Sequence, residues 1–332
     1  MGDSTREPIV SALAAAIAVF VGLGGAPVAL SQTEAVVAAP YEREVGPHRF
    51  PGAVGIPNPF LSTFVRSSTG IASTSGMDVG IYDFSDPPVL LVRKQVDLKY
   101  LVQEFEFQQR VGEDVAVRLA LSGSGRLGTE PAALLAEGVS VIMGWTAGGT
   151  IRLAERPNFK LAGSLEASGN SLTVISVRSW IEDVIDDSDN PEGNSPVADE
   201  SNLRMNAGLR AAWGKSRTTG FLLHGDVGFQ EPYEEIEDTD VYWKTGAGLS
   251  LDMHEKWGPD LGFLLSAVYQ SETNRNNDIG GGGWQTGLGI FYTGRPEFTA
   301  GLQTIYTNLK QTDSDNDFGA FGANLVLRYD FN

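Results

Sequence analysis

The sequence predicts an all-β chain folded as an antiparallel transmembrane β-barrel of about twelve strands, with short turns at one end and long loops at the other. Three observations predict it. Taking every second residue of the final stretch gives Phe321, Ala323, Leu325, Leu327, Tyr329 and Phe331, with Gly322, Asn324, Val326, Arg328 and Asp330 between them. A period of two makes one sheet face apolar and the other small or polar, and the same alternation returns along most of the chain. Aromatic residues also recur eight positions apart on the apolar face, as Phe221 and Phe229, Trp284 and Tyr292, Phe298 and Tyr306, and Phe321 and Tyr329. Eight residues at a rise of about 3.3 Å cover roughly 26 Å of strand. A tilt of about 40° projects that to roughly 20 Å, close to the apolar band between two aromatic girdles. Finally, the connections between apolar-alternating segments switch regularly between short and long.

The last strand also resembles the C-terminal signal strand of bacterial outer-membrane barrels. Leu325, Leu327, Tyr329 and Phe331 fill its alternating positions, and Asn332 follows the final aromatic. That resemblance implies the outer membrane of a Gram-negative bacterium, insertion by the barrel-assembly machinery, and contact with outer-membrane lipid and lipopolysaccharide. It also implies that the short turns are periplasmic and the long loops extracellular.

Composition narrows the function. The chain has 332 residues, 40 of them Gly, no Cys and a formal net charge of −18. Without cysteine there is no disulfide, no thiolate metal site and no cysteine nucleophile. An acidic chain without clustered Lys and Arg is poorly suited to neutralising phosphates, so no nucleic-acid partner is expected. Ile9–Leu30 is an apolar run rich in Ala, Val and Gly, ending in small residues at Ala29 and Ser31. It predicts a signal peptide over residues 1–31, cleaved near Ser31–Gln32; the competing reading is an uncleaved helical anchor. Cleavage would remove one Arg, one Asp and one Glu and leave a charge of −17. No other segment approaches 18 uninterrupted apolar residues, so after export any span of a membrane is made by strands.

Taken in order, residues 32–75 are expected to be a periplasmic extension or linker, and 76–332 the barrel. Gln32–Phe60 contains Pro40, Pro47, Pro51, Pro57 and Pro59 and lacks a strand period; a luminal plug is the alternative. The first strand is placed at Gly76–Phe84, where Val79 and Ile81 share a face. The others follow at about 96–110, 113–124, 138–154, 159–173, 202–214, 218–230, 240–253, 260–271, 283–293, 297–310 and 318–331. The total is even, as single-chain bacterial barrels require. Short turns fall at Val111–Asp114, Glu155–Asn158, Lys215–Thr219, His254–Pro259 and Gly294–Glu297, and longer polar segments at 125–137, 174–201, 231–239, 272–282 and 311–317. The second strand carries two phases. Val96, Leu98, Tyr100 and Val102 share one face, whereas Phe105 and Phe107 fall on the other. Either a β-bulge sits near Gln103 or the strand begins late.

Placing the apolar stripe outward sends Arg118, Arg152, Lys160, Glu166, Arg204, Arg210, His224, Asp226, Lys244, Asp252, Arg328 and Asp330 into the lumen. Basic residues dominate toward the short turns, with Asp226, Asp252 and Asp330 as the expected partners. Charges in a narrow barrel must pair whatever the function; the functional reading is a charged constriction that selects solutes. Twelve strands lie between barrels filled by their own side chains and open porins, so a narrow or loop-closed pore is expected. The candidate constriction loop is Val177–Val184, where Val177, Trp180, Ile181 and Val184 share a face at helical spacing; it either folds inward or packs on the rim. The third and fourth loops are strongly acidic, suiting either solvated loops or a cation funnel. Asp313, Asp315 and Asp317 lack the Gly and distal Glu of a calcium loop, and no metal site or cofactor is expected.

His224 and Asp226 form a base–orienter pair on paper. No serine occupies a nucleophile motif, and the local His/Ser/Asn signature of outer-membrane phospholipases is absent, so no enzymatic activity is expected. The twelve-strand plan and alternating turns are similar to small outer-membrane channel proteins, including a family associated with phenol degradation. That likeness rests on strand count and texture, and no substrate follows from it. The expected function is an outer-membrane channel or transporter for small solutes. The alternatives are a closed structural barrel whose acidic loops bind lipopolysaccharide, a partner or a ligand, and an outer-membrane hydrolase.

Overall fold

The computed structural model describes residues 42–52, 55–75, 77–82, 90–96, 98–127, 139–175, 197–230, 240–272, 283–309 and 318–331. The signal-peptide reading of residues 1–31, the constriction loop at Val177–Val184, the acidic residues 182–192 of the third loop and 231–238 of the fourth, and Asp313–Asp317 lie outside them. A small hairpin, β1 (Glu44–Val45) and β2 (His48–Arg49), precedes the first long strand, β3 (Thr63–Ser75). A separate two-stranded sheet, β4 (Met77–Tyr82) and β5 (Leu90–Val96), lies in the connection to β6 (Lys99–Arg110). Then come β7 (Val115–Leu127), β8 (Val139–Arg156), β9 (Phe159–Ile175), β10 (Val197–Ser216), β11 (Thr219–Gln230) and β12 (Asp240–Asp252). A single helical turn, α1 (His254–Trp257), leads to β13 (Leu261–Glu272), β14 (Gly283–Tyr292), β15 (Phe298–Leu309) and β16 (Phe318–Phe331).

Twelve of these strands, β3 and β6 to β16, form one closed antiparallel barrel, each bonded to its sequence neighbours within the wall. Closure is made by β16 against β3, in unbroken register from Gly319 opposite Ser75 to Phe331 opposite Thr63. The alternation dictates which way each side chain points. Leu302, Val227 and Leu223 face outward at 66%, 61% and 57% exposure, although each would be buried in a soluble core. An outer surface of this kind is stable only against hydrocarbon, and the chain is a transmembrane β-barrel.

All eight aromatic residues of the spaced pairs lie on this outer face. Trp213 stacks on Phe221 at 5.5 Å toward the short-turn end, where Tyr329 also meets Phe331 at 5.1 Å. Toward the other end Tyr269 packs between Trp243 at 5.0 Å and Trp284 at 4.8 Å.

Two expectations are corrected. The first wall strand is Thr63–Ser75 and not Gly76–Phe84, so the wall begins inside the segment assigned to the extension. Residues Met77–Tyr82 do form a strand, but in the separate β4–β5 sheet. The reason is chemical: β3 presents Val65, Ser67, Thr69, Ile71 and Ser73 outward, a stripe too diluted by hydroxyls to read as lipid-facing. The two phases of the second strand resolve by a late start at Lys99, in regular register with both neighbours and without a bulge near Gln103. Phe105 and Phe107 then face outward, while Tyr100, Val102, Glu104, Glu106 and Gln108 point in.

Candidate functional site

The described apolar core is not between layers but inside the barrel, at the end that carries the short turns. Residues 42–52 and 55–62 turn into that end and fill it. Gly46, at φ +59°, supplies the left-handed turn that folds β1 onto β2, pairing Val45 with His48. This places Val45, Phe50, Ile56 and Phe60 against the inward wall residues Ala212, Leu222, Leu264, Phe291 and Val326. His48 meets the Phe50 ring edge-on at 4.6 Å, and Phe50 packs on Phe60 at 5.4 Å. The wall makes room for them: a Cβ on Gly220 would fall 2.5 Å from Phe50 Cζ, so only glycine fits there. The described residues of this segment, 42–52 and 55–60, lie inside the barrel; residues 32–41 lie outside the described residues.

Polar anchors ring the plug. Glu42 binds Arg110 and Arg152, each at 2.8 Å, and Lys160 at 3.1 Å, tying it to β6, β8 and β9. Burial alone would push the Glu42 carboxyl up, but Lys160, Arg152 and Arg110 outweigh it and hold the group below the usual carboxylate range. Across the lumen, Arg43 donates to Phe50 O, Pro296 O and Thr299 Oγ1 and pairs with Asp330 at 3.0 Å. Burial, together with the neighbouring Arg328, lowers Arg43 to about 10, which leaves it charged at neutral pH. His48 is fully buried, with Nδ1 3.0 Å from Arg217 O and Nε2 2.9 Å from Ser250 Oγ. A carbonyl can only accept, so Nδ1 carries the proton and Ser250 donates to Nε2. Burial holds this imidazole below its ordinary value, against the pull of the Arg217 carbonyl and Asp252.

Above the plug runs a ladder of alternating charge. Arg66 pairs with Glu104 at 2.6 Å and with Glu106. Glu106 also accepts from Arg118, Arg118 reaches Glu166 at 2.8 Å, and Glu166 accepts from Arg210 at 2.6 Å. The chain of contacts links β3, β6, β7, β9 and β10 across the inner wall. Glu106 and Glu166 are each shared by two guanidiniums, which compensates for their desolvation. Arg328, 1% exposed, lies 3.6 Å over the Phe64 ring and holds Asp330 and Ser62.

The sequence-derived lumen residues therefore divide into groups. Arg118, Glu166 and Arg210 belong to the ladder; Arg152 and Lys160 anchor the plug through Glu42; Arg328 and Asp330 lock β16 to it. His224 Nδ1 lies 3.1 Å from Asp226 Oδ2, and both are buried. No hydroxyl among the described residues meets His224 Nε2, so the pair lacks a nucleophile there. Arg204 lies 5.9 Å over the Tyr242 ring. Lys244 sits opposite Asp226 and Gln270 in register, with no ion pair among the described residues. Asp252 accepts from the backbone N–H of His254 at 3.0 Å.

The expected pairing needs correction: Asp226 and Asp252 are not the ion-pair partners of Arg118, Arg152, Lys160, Arg210 or Arg328. Glu42, Glu106 and Glu166 are, with only Asp330 acting as foreseen. Arg66, Glu104 and Glu106 escaped notice because the first strand was displaced and the second was out of phase. Setting Phe105 and Phe107 outward would have exposed the two glutamates as lumen groups.

No known protein family matches the sequence, and no curated protein does. Similar solved structures include the translocator domain of the autotransporter NalP from Neisseria meningitidis, at 11% identity and a TM-score of 0.49, covering 82% of this chain and 90% of that one. A Pseudomonas aeruginosa FadL homologue is similar at 10% identity and a TM-score of 0.46, covering 83% and 93%. The KdgM porin is similar at 7% identity and a TM-score of 0.42, covering 80% and 99%.

Proposed function

We propose that the chain is an outer-membrane channel for small polar solutes, closed from within by its own residues 42–62. The observation that carries this reading is the division of the lumen. One half is sealed by a segment that forms no part of the wall, and the other is lined by half-exposed polar side chains. A barrel built only as a scaffold has no need of a separate stopper, because wall side chains can fill a narrow interior. A solute path closed by a detachable segment needs both parts. The short turns, and hence the plug, are assigned to the periplasmic side and the vestibule to the outside.

The absence of cysteine allows a clean test. His48→Cys and Ser250→Cys place one thiol on the plug and one on the wall, where the native side chains lie 2.9 Å apart. A short thiol cross-linker would tether the plug, and single-channel currents would be recorded in planar bilayers before and after tethering. Stepwise openings that vanish on tethering support a plug-gated channel. Openings that persist would place the path elsewhere. Silence in both states, with heat-modifiable folding intact, would favour the closed structural barrel.

A further inference from the structure

The outward faces of β11 and β13–β15 carry Leu223, Val227, Leu265, Leu288, Ile290 and Leu302, as hydrocarbon demands, with Thr286 and Thr304 as isolated hydroxyls, the latter bonded to Leu288 O. The faces of β3 and β6 differ. Ser67, Thr69 and Ser73 point outward from β3, and Gln103 points outward from β6 directly opposite Thr69. Thr69 is the midpoint of its strand, so an amide and two hydroxyls sit halfway across the apolar belt. They bond among themselves: Gln103 Oε1 accepts from Thr69 Oγ1, while Gln103 Nε2 donates to Ser67 Oγ at 3.2 Å and to Glu104 O at 3.4 Å. Capacity is left over, namely the second lone pair of Gln103 Oε1 and the hydroxyl hydrogen of Ser67, and lipid chains satisfy neither.

We propose that this patch is where a second copy of the chain packs, with β3 and β6 facing the same two strands across a two-fold axis. A patch that retains both a donor and an acceptor is complementary to itself, which is what an isologous contact requires. Serine and threonine are small enough to let two walls approach, and polar side chains act as the adhesive between membrane segments. Ile71, at 63% exposure, together with Leu101 and Phe105, forms an apolar margin around the polar centre. Because the barrel is closed and offers no free edge, the contact is made by side chains and not by strand addition. The polar stripe on β3 is thus explained by what covers it.

The test uses the full chain in outer membranes and in lipid nanodiscs. Leu101→Cys and, independently, Ile71→Cys place a thiol on the margin of the patch; Leu223→Cys on β11 places one on the far wall, six strands from β3. Heat-modifiable migration reports folding for each. The expected result is an oxidative cross-link at twice the chain mass for Leu101→Cys or Ile71→Cys and none for Leu223→Cys. Gln103→Leu should lower the dimer fraction at least tenfold at equal concentration while the barrel stays folded. A wild-type chain that is monomeric in nanodiscs and fails to cross-link would overturn the proposal. So would a cross-link to a protein of another size, or a Gln103→Leu chain that dimerises as well as the wild type. None of these outcomes depends on whether the lumen conducts.

Discussion

The two halves of the lumen are built by the same strands and differ in what faces inward. On β10–β16 near the short turns the inward residues include Ala212, Gly220, Leu222, Gly248, Leu264, Phe291 and Val326, with Ser250, Thr299, Arg328 and Asp330 as the polar contacts of the plug. A few positions further along those strands, or on neighbouring ones, the residues are Arg204, Tyr242, Lys244 and Gln270. The first set makes a largely apolar socket with glycine recesses; the second makes a polar wall. What each half encloses is therefore written in the wall as well as in the plug. Protein fills the socket, and in the proposed function the vestibule is the part left for solute.

Removing the centre of the seal should break this contrast most strongly. Phe50 is fully buried between His48, Phe60 and the wall. Phe50→Ala should cost the docked state about 3–5 kcal/mol, the usual range for a buried aromatic cut to alanine. That corresponds to a shift of roughly a hundredfold or more toward the undocked state. The open probability in planar bilayers should rise accordingly. An unchanged open probability would mean that the ring plays no part in the seal.

Glu42→Gln should have a smaller effect. The carboxylate serves Arg110, Arg152 and Lys160, but Arg152 and Lys160 also reach Glu155 at 2.6 and 3.2 Å, and Arg110 is one-third exposed. The loss should be about 1–2 kcal/mol, within the range for hydrogen bonds to charged groups. Reactivity of a thiol at position 48 toward a membrane-impermeant maleimide would report it, since the undocked plug exposes that site. Equal labelling rates with and without the Glu42→Gln substitution would show that the ionic anchors do not limit release.

Acid should loosen the same end more gradually. The docked plug keeps His48 neutral and Glu42 ionised, so in both cases release allows a proton to be taken up that docking disfavours. A basic group whose pKa is lowered on docking contributes stability above its free value, about 6.5 for histidine, and loses it as the pH falls below that. A carboxylate lowered on docking has the same sign at still lower pH. Open probability should therefore climb as the plug-side pH drops through 6.5 and further toward the carboxylate range. His48→Gln should remove the upper part of that rise. A profile flat between pH 7 and 5 would contradict the assigned role of the imidazole.

The sequence-readable part of this architecture was the part governed by one strong rule. Where outward residues are almost all apolar, as on β10, β11 and β16, a period of two locates the strand and sends Arg210, His224, Asp226 and Arg328 inward. The rule loses its grip where hydrogen bonding replaces apolarity. On β3, outward serine and threonine erase the contrast between faces, and the strand is read as linker. The plug was legible only as an alternative, for a different reason. Its fold is set by contacts with wall residues distant in sequence, such as Arg43 with Thr299 and Asp330 or His48 with Ser250, and proline-rich local pattern carries no trace of them. Ion-pair partners were missed because pairing runs across the lumen and through the plug: Glu42 belongs to no strand at all.

The smallest expected effect tests whether charge in the vestibule selects solutes. Reversal potentials in a KCl gradient would be measured on the Phe50→Ala background, so that every variant conducts. Arg210 and Arg152 each answer a carboxylate, Glu166 and Glu42 respectively, and their charge is largely cancelled for a passing ion. Arg210→Ala and Arg152→Ala should shift selectivity toward cations, but only modestly, because Arg118 still serves Glu166 and Lys160 still serves Glu42. Lys244 makes no ion pair among the described residues and stands on a half-exposed stretch of wall, where Asp226 opposite it and Glu166 compensate its charge only from a distance. An incompletely cancelled charge on a narrow, low-dielectric wall focuses the field along the path. Lys244→Gln should therefore produce the largest cationic shift of the three. If Arg152→Ala shifted the potential most, the ions would be passing nearest the plug anchors, and the boundary between socket and vestibule would have to be moved toward the short turns.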